Sequence, residues 1–109
     1  MKLFKRFTFE GSHSLPEYPQ VHGHSYHVEV CVEGEAKDGY VMREFTLTDA
    51  YSKVKDLLDH KYLNDFIEIP TSENIAKFIW HELRWYPIVE VKVERPSLGL
   101  GVIYNGEPE

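Results

Sequence analysis

Cysteine is almost missing from this sequence: Cys31 is the only one in 109 residues. A lone thiol excludes an intramolecular disulfide framework and a zinc knuckle built from several cysteines, and it suits a reducing compartment. Positive charge is scarce too, with 12 Lys and Arg against 18 Asp and Glu and a formal net charge of -6. That balance argues against binding the nucleic-acid backbone, which requires clustered cations. Long apolar runs are absent, none approaching the roughly 20 residues that cross a bilayer. Near the N-terminus, Lys5 and Arg6 interrupt the apolar residues and no small-residue cleavage site follows, unlike a signal peptide. The expectation is a cytoplasmic chain with neither a membrane nor a nucleic-acid partner.

What is present is enough for one packed domain over residues 1–109: 42% hydrophobic, 14% aromatic and 28% charged residues. Residues 2–10 read as a strand with Leu3, Phe7 and Phe9 on one face, and Phe4 breaks the alternation, as if both faces were covered. Pro16 and Pro19 mark a loop. From His22 the alternation is the clearest in the chain: His22, His24, Tyr26, Val28, Val30 and Val32 share one face, Ser25, His27, Glu29 and Cys31 the other. The Asp38-Gly39 turn signal and a strand-like 40–45 predict a hairpin over residues 22–45.

A helix follows, with Leu47, Tyr51, Val54 and Leu58 at i, i+4, i+7 and i+11, Thr46 or Thr48 as its cap, and an end near His60. A second helix starts at Pro70-Thr71-Ser72-Glu73 and runs to about Arg84, with Ala76, Ile79, Trp80 and Leu83 on its apolar stripe. Residues 88–94 and 100–104 give two more strands around Pro96, Gly99 and Gly101. The order is ββααββ, an α+β chain with a four-stranded antiparallel sheet and both helices on one face. The acidic tail, residues 107–109, is expected to fray.

Six histidines are the remaining oddity. In His22-Gly23-His24 the period of two projects both imidazoles from one strand face, about 6–7 Å apart at the backbone, a span one metal ion bridges. His13, just past the first strand, can add a third nitrogen if the two strands neighbour each other. Three imidazoles with an open fourth position is the layout of catalytic zinc rather than structural zinc. A pair of surface or hydrogen-bonded histidines is the bland alternative, and Gly23, as a bulge or a close approach, tilts the balance slightly toward a site.

The wider pattern resembles the family of 6-pyruvoyl- and 6-carboxytetrahydropterin synthases. The matching residues are Phe9-Glu10-Gly11-Ser12-His13-Ser14-Leu15, His22-Gly23-His24-Ser25-Tyr26, Leu58-Asp59-His60-Lys61-Tyr62-Leu63-Asn64, Pro70-Thr71-Ser72-Glu73-Asn74, and Val93-Glu94 before Gly101-Val102-Ile103-Tyr104. The resemblance implies the family's ββααββ tunnelling fold, closed into a barrel of subunits as a trimer or hexamer with sites at subunit interfaces. It implies Zn2+ on His13, His22 and His24, proton relay by Asp59 and His60, and substrate contacts from Thr71, Ser72 and Glu94, the last holding the amino-pyrimidine edge of a pterin.

One departure is informative. The family's usual catalytic cysteine precedes the His-Gly-His, and here that segment is Leu15-Pro16-Glu17-Tyr18-Pro19-Gln20-Val21, with no thiol. Cys31 lies nine residues beyond His22 on the opposite strand face and cannot replace it. Glu17 is the only acid in the loop. Members of the family that use a glutamate there are associated with leaving a 6-hydroxymethyl group. The resemblance thus implies a zinc-dependent lyase acting on the side chain of 7,8-dihydroneopterin or its (tri)phosphate, with Glu17 in place of the thiol. The alternatives are a 6-carboxytetrahydropterin synthase for deazaguanine synthesis and a pterin-binding module without turnover.

Overall fold

A computed structural model describes residues 1–106 of the chain, so the acidic tail lies outside the described residues. Two long strands form its spine, β1 (Lys2–His13) and β2 (His22–Glu33), paired antiparallel from Lys2↔Glu33 to His13↔His22. Helix α1 (Glu44–Leu58) follows, then the two-residue β3 (Lys61–Tyr62), helix α2 (Ser72–Glu82), β4 (Ile88–Arg95) and β5 (Leu100–Tyr104). The sheet order is β3-β1-β2-β4-β5, antiparallel throughout except for β3, which lies parallel to β1. Among the described residues, no helix is long and apolar enough to cross a membrane.

The alternation seen in the sequence decides which face carries the core. Phe7 and Phe9 from β1, Tyr26, Val28 and Val30 from β2, and Val91 and Val93 from β4 all point inward. There they meet Ala50, Val54 and Leu58 of α1 and Ile75, Ala76 and Ile79 of α2, so both helices cover one face. Burying side chains of this size contributes on the order of 1.5–3 kcal/mol each. Thr71 caps α2, its hydroxyl accepting from the Asn74 N–H at 3.2 Å.

Five expectations need correction. Residues 40–45 form no strand. Asp38 and Gly39 do turn, with φ of 54° and 89°, but they close a single Lys37↔Tyr40 bridge. Both edges of β2 are taken, by β1 and β4, so the following segment has no strand to pair with and enters α1 at Glu44 instead. Thr46 and Thr48 lie inside that helix, whose N-cap Arg43 makes no side-chain capping bond. The sheet has five strands, because the residues leaving α1 fold back along the free edge of β1 at Gly11 and Ser12. Phe4 is 52% exposed, its ring beneath the Arg6 guanidinium, so the outer face is not covered within the chain. Gly23 carries no bulge: the register runs through Ser12↔Gly23, and the irregularity falls between Cys31 and Val32.

Candidate metal centre and its surroundings

His13 closes β1 rather than following it, and the register sets it directly opposite His22. His24 stands two residues along the same inner face. One ligand nitrogen from each of the three rings lies within 4.8 Å of the others. His13 is fully buried, and the other two are partly exposed.

The local backbone sets the tautomers. His13 Nδ1–H donates to the Pro70 carbonyl at 2.8 Å, and His22 Nδ1–H donates to the Gln20 carbonyl at 2.9 Å. Each ring then presents Nε2 as a lone pair, and the two Nε2 atoms stand 3.0 Å apart. Tetrahedral zinc with bonds near 2.0–2.1 Å separates its nitrogens by about 3.3 Å, so a small outward shift admits the ion. Carbonyl-held imidazoles are the usual outer support of a metal site. Among the described residues, His24 Nε2 is buried without a hydrogen-bond partner, as a ligand atom would be before it meets its metal. The residues present therefore fit a tetrahedral, nitrogen-binding cation.

Burial reinforces this. Desolvation pushes the His24 pKa down to about 4 and lowers that of His13 as well, with the neighbouring imidazoles and Arg95 adding to the effect. Both rings are neutral at pH 7, the state in which they bind a metal. Beneath them lies Tyr26, fully buried and stacked on Phe9 at 4.6 Å, its phenol pushed up to about 12 by burial.

Asp59 and His60 leave the end of α1 and are held on β1 by one residue. The Glu10 N–H donates to Asp59 Oδ1 at 2.9 Å, while the His60 N–H donates to the Glu10 carbonyl at 2.6 Å. The first of these bonds lowers the Asp59 pKa, with His60 a smaller contributor. His60 adopts φ 59° and sets its Nδ1 3.0 Å from Asp59 Oδ2. Its imidazole is exposed and lines a cleft of about 450 Å³ with Glu10, Ser12, Gly23, Ser25 and Lys61, and of the three clustered histidines only His24 borders that space.

Other expected site residues lie elsewhere in the single chain. Glu94 pairs with His27 and points to the outer face, lining a shallow cleft with Arg6, Glu29 and Lys92, across the sheet from the three imidazoles. Glu17 is exposed at the tip of a tight turn closed by reciprocal Leu15 and Tyr18 backbone bonds of 3.0 Å. Thr71 is used as a helix cap. Ser72 is buried with its hydroxyl unpartnered, two residues from the Pro70 carbonyl that holds His13. Cys31 is buried on the other face, about 23 Å along β2 from His24. The sequence reading missed Pro70, Gln20 and Arg95. Two act through backbone carbonyls, which carry no side-chain signal, while Arg95 continues the inward alternation of Val91 and Val93.

Comparisons with known proteins converge on one family. The family model described as 6-pyruvoyl tetrahydropterin synthase matches residues 2–99. The dihydroneopterin monophosphate aldolase of Pyrococcus furiosus is 37% identical over 110 residues, covering 99% of this chain and 96% of that protein. A putative 6-carboxy-5,6,7,8-tetrahydropterin synthase of Archaeoglobus fulgidus is 44% identical over 80 residues, 70% of each chain. In three dimensions, the Caenorhabditis elegans 6-pyruvoyl tetrahydropterin synthase superposes with a TM-score of 0.86 at 22% identity, over 98% of this chain and 96% of that one. By sequence and by fold, the chain thus belongs to the 6-pyruvoyl tetrahydropterin synthase family.

Proposed function

We propose that this chain is a zinc-dependent lyase that shortens the side chain of 7,8-dihydroneopterin, or of its phosphate ester, to a 6-hydroxymethyl group. The observation that carries the reading is a three-imidazole centre with no thiol in reach, since the loop before His22 offers Glu17 and the one cysteine is far along β2. The relative from Pyrococcus furiosus, named an aldolase and matched over nearly its whole length, supports it. A cytoplasmic setting suits both the free thiol and the histidine-only ligand set.

In this reading His13, His22 and His24 hold the ion, which when bound supplies Lewis-acid polarisation of the side-chain hydroxyls. A base, Glu17, takes the 2′-hydroxyl proton and the C1′–C2′ bond breaks. Its electron pair passes to C1′, where the conjugated ring imine stabilises it. C1′ is then protonated, and the two-carbon fragment leaves as an aldehyde. The Asp59 carboxylate orients His60 through Nδ1–H, leaving Nε2 free to carry a proton to or from the cleft. Glu94 accepts two N–H bonds from the amino-pyrimidine edge, and Thr71 and Ser72 contact the substrate.

Glu94 faces away from the imidazoles of its own chain, so the complete site draws on a neighbouring copy in a trimer or hexamer. The exposed edges of β3 and β5 give such an assembly strands to join. The test is product identification by chromatography after incubating zinc-loaded protein with 7,8-dihydroneopterin and its mono- and triphosphate, wild type beside Glu17→Ala. A 6-hydroxymethyl pterin, lost in the variant, is expected. Recovery of unchanged substrates would sink the lyase, and a 6-carboxy or 6-pyruvoyl product would redirect the reading to that reaction.

A further inference from the structure

The fold gives no reason for a glycine at position 23. Glycine weakens a strand interior, so a strand that holds one commonly needs the left-handed backbone, a bulge or a close approach by another group. Gly23 shows neither of the first two: its φ is not positive, and the β1–β2 register runs through Ser12↔Gly23 without irregularity. Packing does not exclude a side chain either. Beyond its chain neighbours, an added Cβ would meet only the Gly11 carbonyl oxygen, at an ordinary 3.4 Å, with nothing else within 4 Å.

What the missing side chain leaves open is the cleft of about 450 Å³ beside the Asp59-His60 pair, which Gly23 lines. Ser12 stands opposite Gly23 and Glu10 opposite Ser25 in the strand pairing, and all four border the cleft with His60 and Lys61. Two of its polar groups are held in place by neighbours. The Ser25 hydroxyl donates to Glu10 Oε1 at 2.7 Å, and Asp59 Oδ2 holds His60 Nδ1 at 3.0 Å. A tethered carboxylate and a tethered imidazole bordering one space are set in advance to bond a hydroxylated ligand. In the lyase reading His60 carries a proton to or from the substrate side chain, so that chain enters this cleft.

We propose that Gly23 is a specificity-determining residue: its missing side chain lets the hydroxyl-bearing chain of the substrate lie against the β2 backbone beside His60, where the Glu10 carboxylate accepts one of its hydroxyls. The inference rests on the pterin-lyase reading above and assigns that chain its subsite.

The test compares wild type, Gly23→Ala and Glu10→Gln with 7,8-dihydroneopterin and with 6-hydroxymethyl-7,8-dihydropterin, which lacks the longer hydroxylated chain. Gly23→Ala is expected to retain its zinc and a thermal midpoint equal to or above that of wild type, because alanine fits and restricts the unfolded chain. Its kcat/KM for 7,8-dihydroneopterin should nevertheless drop on the order of 10- to 100-fold. Glu10→Gln preserves size and an acceptor for Ser25 but loses the charge. Its affinity for 7,8-dihydroneopterin, read by quenching of pterin fluorescence, should drop about 10-fold while that for the 6-hydroxymethyl compound stays the same. An undiminished kcat/KM in Gly23→Ala overturns the proposal, and so does a lowered midpoint or lost zinc, either of which would give the glycine a structural reason. An equal loss on both ligands in Glu10→Gln overturns it as well, by placing Glu10 on the ring. Should wild type bind 7,8-dihydroneopterin without converting it, the lyase reading falls alone. The inference is then judged by the two affinities in Gly23→Ala: a loss confined to 7,8-dihydroneopterin supports it, and unchanged or equally reduced affinities overturn it. Binding of neither compound by wild type overturns both.

Discussion

Acid should destabilise the metal-free protein through its buried imidazoles, in a pH window set by His24. In the folded chain burial keeps this ring neutral down to about pH 4, against an ordinary value of 6.5. Once the chain unfolds, the same ring takes up a proton as the pH drops through 6.5. Between those limits the unfolded state binds more protons, so stability falls as pH falls. Above about pH 7 the ring is neutral in both states and this dependence vanishes. At about 1.4 kcal/mol per pH unit, the interval corresponds to at most roughly 3 kcal/mol, and solvent at the partly exposed ring trims it to about 2 kcal/mol. His13 is shifted the same way and adds to the slope. Asp59 does not interfere: its carboxyl is held below 3.8, so its stabilisation is lost only at more acidic pH. The assay is urea unfolding by tryptophan fluorescence in chelator, from pH 7.5 to 4.5, wild type beside His24→Asn. The variant's curve should be flatter. Two parallel curves would refute the reasoning, because they would mean that His24 pays no penalty for being charged in the folded state.

Four further outcomes follow from the same geometry. Zinc at a hundredfold excess over its Kd should stabilise wild type by about 2.7 kcal/mol, seen as a raised thermal midpoint. His22→Ala should lose both that rise and its bound zinc by elemental analysis, and unchanged zinc content would remove His22 from the ligand set. Asp59→Asn keeps the shape but loses the carboxylate that holds His60 Nδ1–H. Turnover of the proposed substrate should fall about 100-fold or more with unchanged far-UV circular dichroism, and an undiminished kcat would exclude the relay. Gly101→Ala places a Cβ 2.7 Å from the Val93 carbonyl oxygen and 3.0 Å from Glu94 Cα, both backbone atoms of β4. The two strands must part, at a cost of about 1–3 kcal/mol in urea unfolding, and an unchanged midpoint would show that β5 yields freely.

The sequence was legible where local periodicity settles the structure. The alternation from His22 to Val32 correctly assigned both faces of β2, and the Thr71 cap marked the start of α2 because its hydroxyl acts within three residues. The three imidazoles were legible because pairing two adjacent strands forces His13 opposite His22. Residues 40–45 misled because their strand-like composition says nothing about whether an edge of β2 is free, which is a tertiary fact. Strand β3 escaped notice because two residues carry no period; only the edge of β1 makes them a strand. Glu94 and Arg95 are neighbours with opposite orientations: parity with the buried Val93 turns Glu94 outward and Arg95 inward.

His60 carries a consequence for how the protein tolerates change. A non-glycine residue at φ 59° sits in the left-handed region at a cost of roughly 1–2 kcal/mol, and this ring is exposed, so little packing repays it. Glycine there would relax the backbone and keep the N–H bond to the Glu10 carbonyl. Selection for thermostability alone would therefore tend to erase the imidazole, and His60→Gly drift in a stabilised library would mark where folding and chemistry make opposite demands on one residue.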